Sequence, residues 1–227
     1  KSTTFAVVNE VGAYGRPRVQ TKFIFMTDNK MRTEILTIDK GQCLTDVLPA
    51  IPANTIFDKT ITGCGATHSE IVNAARHSII IEPNIPVILG KKAEHPFLFA
   101  VYEGITKEDV KAYLAGEHDG YRKIITTPEG FDKKVLPAMH ELEIPVYKDY
   151  FLLFDECEKA IQDVGYRGDI YLPVEDFFKF ENKAMVSATP IVPSDPRFEE
   201  NGFKILKLVP TYDSRIELTL CTTNNTV

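Results

Sequence analysis

From about residue 56 onward, short apolar runs alternate with stretches whose apolar residues recur at helical spacing. Ile79-Ile80-Ile81-Glu82-Pro83, Phe97 to Tyr102, Lys123 to Thr127, Tyr150 to Asp155 and Ala184 to Thr189 each end at a polar residue or a proline. Continuous apolar runs of this length, without a polar residue at every second place, predict strands buried on both faces. Between them, a predicted helix over Thr67 to Arg76 puts Ile71, Ala74 and Ala75 on one face. Thr106 is an N-cap candidate for a second helix carrying Val110 and Leu114. Strands alternating with helices predict βαβ units and a parallel sheet, whose ligands bind beyond the carboxyl ends of the strands.

The two ends of the chain read differently. Phe5 to Val8, Val19 to Phe25 and Thr33 to Ile38 are strand-like, with Gly12, Gly15 and Pro17 between the first two and a turn candidate at Thr27 to Lys30. These predict an antiparallel β appendage with a Pro-rich connector over 1–52, ahead of a main domain over 53–227. Phe203 to Leu208 and Arg215 to Leu220 are two further strand-like runs in the tail.

Composition narrows the picture only a little. At 44% hydrophobic and 26% charged, the chain has the balance of an ordinary globular domain, so wholesale disorder is excluded. No stretch reaches the roughly 20 apolar residues of a membrane-spanning helix. The net charge of −6 argues against a protein that coats nucleic acid by electrostatics alone. Cys43, Cys64, Cys157 and Cys221 form no CxxC pair and the histidines show no ligand spacing, which disfavours a zinc site and a disulfide framework. A reduced, cytoplasmic protein without a membrane partner is the expectation.

Four short motifs could carry chemistry. Phe151-Leu-Leu-Phe-Asp155-Glu156-Cys157-Glu158 is an apolar strand ending in adjacent carboxylates, which suits an acid pair that holds Mg²⁺ and orients an attacking water. The same residues also suit a strand emerging at a helix start. Thr62-Gly63-Cys64-Gly65-Ala66-Thr67 lies between a strand and a helix, where small residues let backbone N–H groups close around an anion, or simply form a tight turn. A phosphate-binding loop proper carries lysine where Ala66 stands; Thr67, the hydroxyl for Mg²⁺, is present. Ser187-Ala188-Thr189 at a strand end and Thr126-Thr127-Pro128-Glu129-Gly130 complete the set, with capping and turn roles as the plainer alternatives.

The order of these motifs resembles the first motor domain of the superfamily-two helicases, the DEAD/DEAH-box type, over roughly residues 56 to 192. Asp155-Glu156-Cys157-Glu158 followed by Ser187-Ala188-Thr189 carries most of the resemblance. The chain is also similar to helicase-like proteins whose loop reads Gly-x-Gly-Ala-Thr. The resemblance implies a RecA-like (P-loop NTPase type) parallel-sheet domain with helices on both faces, binding ATP and Mg²⁺. Gly63, Cys64, Gly65, Ala66 and Thr67 would then cradle the nucleotide, with Thr67 and Asp155 on the metal and Asp155 and Glu156 as the catalytic pair. Ser187 and Thr189 would couple the site to motion, and Pro83, Asn84, Thr126 and Thr127 would touch a DNA or RNA backbone.

Two departures shape the expected function. Loss of the loop lysine removes a positive charge from phosphoryl transfer, a loss on the order of 10²–10³ in rate for one such contact. Lys59, four residues before Gly63, and Lys91-Lys92 are the nearby cations that could substitute. A second motor domain, which the family uses to complete the site, is not expected within these residues, so it or another protein would be a partner. The expectation is therefore a helicase-like nucleotide-binding domain that is impaired or dormant as an ATPase, with a non-catalytic protein-interaction module on the same fold as the alternative.

Overall fold

The computed structural model describes residues 7–8, 22–26, 31–61, 63–157, 174–189 and 195–213. The turn candidate at Thr27 to Lys30, Thr62 of the glycine loop, Glu158 of the acidic motif and the run Arg215 to Leu220 lie outside the described residues.

Among the described residues, eight parallel strands form the body of a ten-stranded sheet. β4 (Thr55–Asp58), β5 (His77–Ile81), β6 (Phe99–Val101), β7 (Lys123–Thr126), β8 (Tyr150–Phe154), β9 (Asn182–Ser187) and β10 (Lys204–Pro210) are joined by β3 (Arg32–Ile38), in the order β3-β10-β4-β9-β8-β5-β7-β6. This is an α/β parallel-sheet fold of the RecA-like kind. The structure does not show a separate N-terminal antiparallel appendage. Leu206 and Leu208 of β10 face the core beside Leu36 and Ile38 of β3, which pairs with β10 in parallel from Thr33↔Ile205 to Ile38↔Pro210. Burial of that shared apolar row draws β3 into the main sheet. β2 (Lys22–Met26) and β1 (Val7–Val8) then extend its edge in the antiparallel sense.

Side chains of successive strand residues point to opposite faces, and both faces are covered. Ile79, Ile81, Ile124, Leu152 and Phe154 enter one core, while Ile80, Ile125, Phe151 and Leu153 enter the other. That is why these strands read as unbroken apolar runs. Each fully buried side chain of this size contributes about 1.5–3 kcal/mol. The second core is closed by α1 (Leu44–Val47), α2 (Ala66–Ile71) and α3 (Ile85–Glu94), through Leu44, Ala66, Ile71 and Ile88. The first is closed by α4 (Lys107–Ala115) and by α5 (Pro128–Gly130), which passes through a π-helical turn (Phe131–Val135) into α6 (Leu136–Glu141). The π turn leads directly to Pro137, whose missing N–H and bulky ring disallow a regular i→i−4 bond there.

α7 (Val146–Asp149), α8 (Val174–Lys179) and α9 (Pro196–Glu200) finish the first face. Phe177, Phe178, Phe198 and Phe203 pack edge-on or tilted against one another, with ring centroids 4.9–6.5 Å apart. Phe177 and Phe180 are almost fully buried, so this aromatic run is a packed face and not a base-stacking platform.

Two sequence expectations shift at their ends. The helix predicted over Thr67 to Arg76 stops at Ile71, because the Asn73 side-chain oxygen accepts the Ala75 N–H at 3.0 Å in an Asx-type turn. The strand predicted from Phe97 starts at Phe99, leaving Phe97 exposed in the preceding turn. The cap at Thr106 forms as expected: its hydroxyl accepts from the Asp109 N–H, and Asp109 accepts from the Thr106 N–H at 2.8 Å. Thr106→Ala should cost about 1 kcal/mol in chemical denaturation, leaving the cooperativity of unfolding unchanged.

Candidate functional site

β4, β9 and β8 are neighbours and parallel, so their carboxyl ends open on one rim of the sheet. β4 runs out into Lys59 and then the glycine loop; β8 runs out into Asp155 and Glu156; β9 ends at Ser187. The backbone ties these ends together. The Lys59 N–H donates to the Ser187 carbonyl at 2.8 Å, and the Asp155 N–H donates to the Ile81 carbonyl of β5 at 2.9 Å.

The side chains converge more tightly still. The Lys59 ammonium lies 3.0 Å from Oδ1 of Asp155 and 2.7 Å from Oε1 of Glu156. The Thr67 hydroxyl donates to the other oxygen of Asp155, Oδ2. Asp155 Oδ1 also accepts the Glu156 N–H at 2.9 Å. Asp155 and Lys59 are almost fully enclosed, with side chains 3% and 11% exposed, while Glu156 keeps 22% of its surface open. Burial alone would lower the Lys59 pKa; the Asp155 charge and the hydrogen bonds to Glu156 and Asp155 outweigh it and raise the pKa above the ordinary lysine value. Glu156 sits at φ +50°, a left-handed conformation that costs a non-glycine residue about 1–3 kcal/mol and collects at functional sites.

The glycine loop turns through Gly63 and Gly65, at φ +74° and +87°, where L side chains are strained. Cys64 and Ala66 point inward, 5% and 3% exposed, and join the core with Leu44 and Ile71. Ala66, at the place of the usual loop lysine, is thus a packing residue. Burial pushes the Cys64 thiol pKa up. The loop borders an open cavity of about 160 Å³ lined by Lys59, Gly63 to His68 and Lys91. Of the three cations that the sequence offered as substitutes, Lys59 from the sheet end and Lys91 from α3 border the loop, while the Lys92 ammonium donates to the Pro96 carbonyl at 2.7 Å. Lys91 also pairs with Glu94 at 2.9 Å. A feature that sequence reasoning missed is the contact between His68 Nδ1 and His95 Nε2, 3.2 Å apart. The two are separated by 27 residues and carry no shared motif.

Ser187 and Thr189 lie at the end of β9. The Ser187 hydroxyl donates to the Thr189 carbonyl and accepts the Thr189 N–H at 3.0 Å, closing a tight turn directly beside Lys59.

The other predicted segments lie at the ends of β5 and β7. Buried Glu82 accepts both the backbone and the side-chain N–H of Asn84 at 2.8 Å, and burial raises its pKa. Pro83 and Asn84 are half-buried. Thr126 is fully buried, its hydroxyl donating to the Thr127 carbonyl, so its side chain does not reach the surface. Thr127 caps α5 by accepting the Gly130 N–H at 3.0 Å. Thr127, Gly130, Ile85, Tyr102, Lys133-Lys134 and the acidic Glu103 and Glu129 line a second cavity of about 260 Å³. A methyl group on Gly130 would stand 2.5 Å from Thr126 Oγ1 and 3.2 Å from the Val101 carbonyl. Gly130→Ala should therefore destabilise by about 1–3 kcal/mol in urea titration.

Among the described residues no cluster of three or more His, Cys, Asp or Glu side chains could hold a metal unaided. The donors that do converge, two carboxylates and a hydroxyl, are hard oxygens of the kind Mg²⁺ prefers, and Mg²⁺ typically takes few protein ligands and completes its shell with water and phosphate. The Lys59 ammonium already stands at these oxygens as a cation. No helix among the described residues is long and apolar enough to cross a membrane. No protein-family model matches the chain, and no curated protein matches it.

Proposed function

We propose that this chain is a helicase-like nucleotide-binding domain of a nucleic-acid-processing protein, impaired or dormant as an ATPase. The observation that carries this reading is the junction of Lys59, Thr67, Asp155 and Glu156 at one rim, beside the loop cavity. In this reading the glycine loop takes the phosphates of ATP, and Thr67 and Asp155 hold Mg²⁺, which would screen phosphate charge. Glu156 orients water. Lys59, reaching the cavity from the strand end, supplies the positive charge that a loop lysine would otherwise bring. The second cavity, with Thr127 and Lys133-Lys134 on its wall alongside Glu103 and Glu129, is the face offered to a nucleic-acid backbone, which the two lysines would hold. A fluorescent ATP analogue titrated with Mg²⁺ should bind the full-length protein saturably; no saturation up to millimolar analogue would refute the proposal.

One observation favours a second reading, a non-catalytic protein-interaction module on the same fold. The Lys59 ammonium already bridges the two carboxylates and offsets one of their two charges. Thermal melting separates the two. A ligand of the folded state at 100-fold its Kd adds about 2.7 kcal/mol, so Mg-ATP raises the melting temperature under the first reading and leaves it unmoved under the second.

A further inference from the structure

We propose that Lys59 is a built-in counter-ion that competes with a divalent cation for Asp155 and Glu156, so that the acidic pair is closed to free metal until an anion in the loop cavity draws the ammonium away. This deepens the nucleotide-binding reading and rests on it for the identity of the anion, a polyphosphate.

The geometry supplies each part. The ammonium contacts one oxygen of each carboxylate, at 3.0 and 2.7 Å, and Thr67 takes the second oxygen of Asp155. A divalent ion bound by the same carboxylates would place two cationic centres in one small, largely buried space, where like charges repel strongly. Metal and ammonium therefore exclude each other. Lys59 is nonetheless not walled in, because its side chain also lines the open cavity that Gly63, Gly65 and Thr67 border. A polyphosphate there offers the ammonium an alternative partner. Glu156, in its left-handed conformation and partly exposed, is the member of the pair that can follow. Metal and nucleotide would then arrive together.

The test uses Mn²⁺ alone, read by the loss of its free electron-paramagnetic signal, with no nucleotide present. The native chain is expected to leave the signal unchanged into the millimolar range. Lys59→Met, which keeps the stem and removes the charge, should bind Mn²⁺ at least about tenfold more tightly. Adding Asp155→Asn to that variant should abolish the gain. Lys59→Gln serves as a second variant, since its amide can still donate to Asp155 and support the fold where methionine does not. Native protein that binds Mn²⁺ as well as the variants overturns the proposal. So do folded variants with no gain, and a gain that survives Asp155→Asn. Because no nucleotide enters the titration, its failure leaves the ATP-analogue result standing, and failure of ATP binding leaves the metal result standing.

Discussion

Glu70→Gln should destabilise the protein by about 3–5 kcal/mol in urea denaturation, the range for breaking a buried ion pair by removing one partner. Glu70 is fully buried and organises a polar network at the amino ends of β5 and β7, far from the acidic rim. It accepts from Arg76 Nε at 3.0 Å, from Arg76 Nη2 at 2.5 Å and from the Ser78 hydroxyl at 2.5 Å. The Lys123 ammonium stands 3.7 Å away and donates to Ser78 at 2.8 Å. The Arg76 guanidinium also lies 3.4 Å above the ring of Phe151, and removal of the Glu70 charge takes the carboxylate away from both Arg76 and the buried Lys123. Glu70→Gln combined with Lys123→Met should recover part of the loss, because it removes one of those cations.

Lys123 also gives this network a pH signature. Burial lowers its pKa from 10.5 to about 8, against the opposing pull of Glu70. Between those two values the unfolded chain holds the proton and the folded chain has released it, so stability rises with pH across that window. Below about 8 both states are protonated and the full cost of the buried charge is felt. The difference in unfolding free energy between native protein and Lys123→Met should therefore shift in favour of the native chain from pH 8 to pH 10.5. A flat difference across that range would show Lys123 to be better solvated than its 3% exposure implies.

Lys59→Ala has the second large effect, and it acts at the other rim. Without the ammonium, Asp155 and Glu156 face each other as two carboxylates. Asp155 is almost wholly buried, whereas Glu156 can relax toward water. The expected cost is about 3 kcal/mol, the low end of the range for a buried pair. The raised pKa of Lys59 means that its stabilisation is complete below its unfolded value of 10.5 and is lost only as pH rises through the folded value. The native-minus-variant difference should thus be flat from pH 6 to pH 9. A double-mutant cycle with Asp155→Asn should show coupling of about 1–3 kcal/mol, since each change removes the same contact. Binding of the ATP analogue should disappear in Lys59→Ala. Retention of binding at native affinity would assign the phosphate charge to Lys91 instead.

These expectations show how unevenly the site was legible. Asp155 and Glu156 were visible because adjacent carboxylates at the end of an apolar strand conflict with burial. Thr67 was visible through its place after a glycine turn. Lys59 could be named only as a nearby cation. Its distance of 96 residues from Asp155 is bridged by strand order, and strand order depends on which apolar faces bury one another. The His68–His95 contact was invisible for the same reason. Thr126 and Ala66 show the opposite limit: each stands in a motif position, and nothing in that position tells that its side chain is packed inside.

The pattern of apolar runs by itself determined that this chain builds strands covered on both faces, alternating with helices, because period and run length are local properties of the polypeptide. It also determined that acids, glycines and hydroxyls fall at strand ends. Only the tertiary structure decided that β3 joins the parallel sheet through β10, and that one lysine rests between two carboxylates. Both depend on contacts between residues remote in the chain, whose energies come from shared burial and paired charge and leave no periodic trace along it.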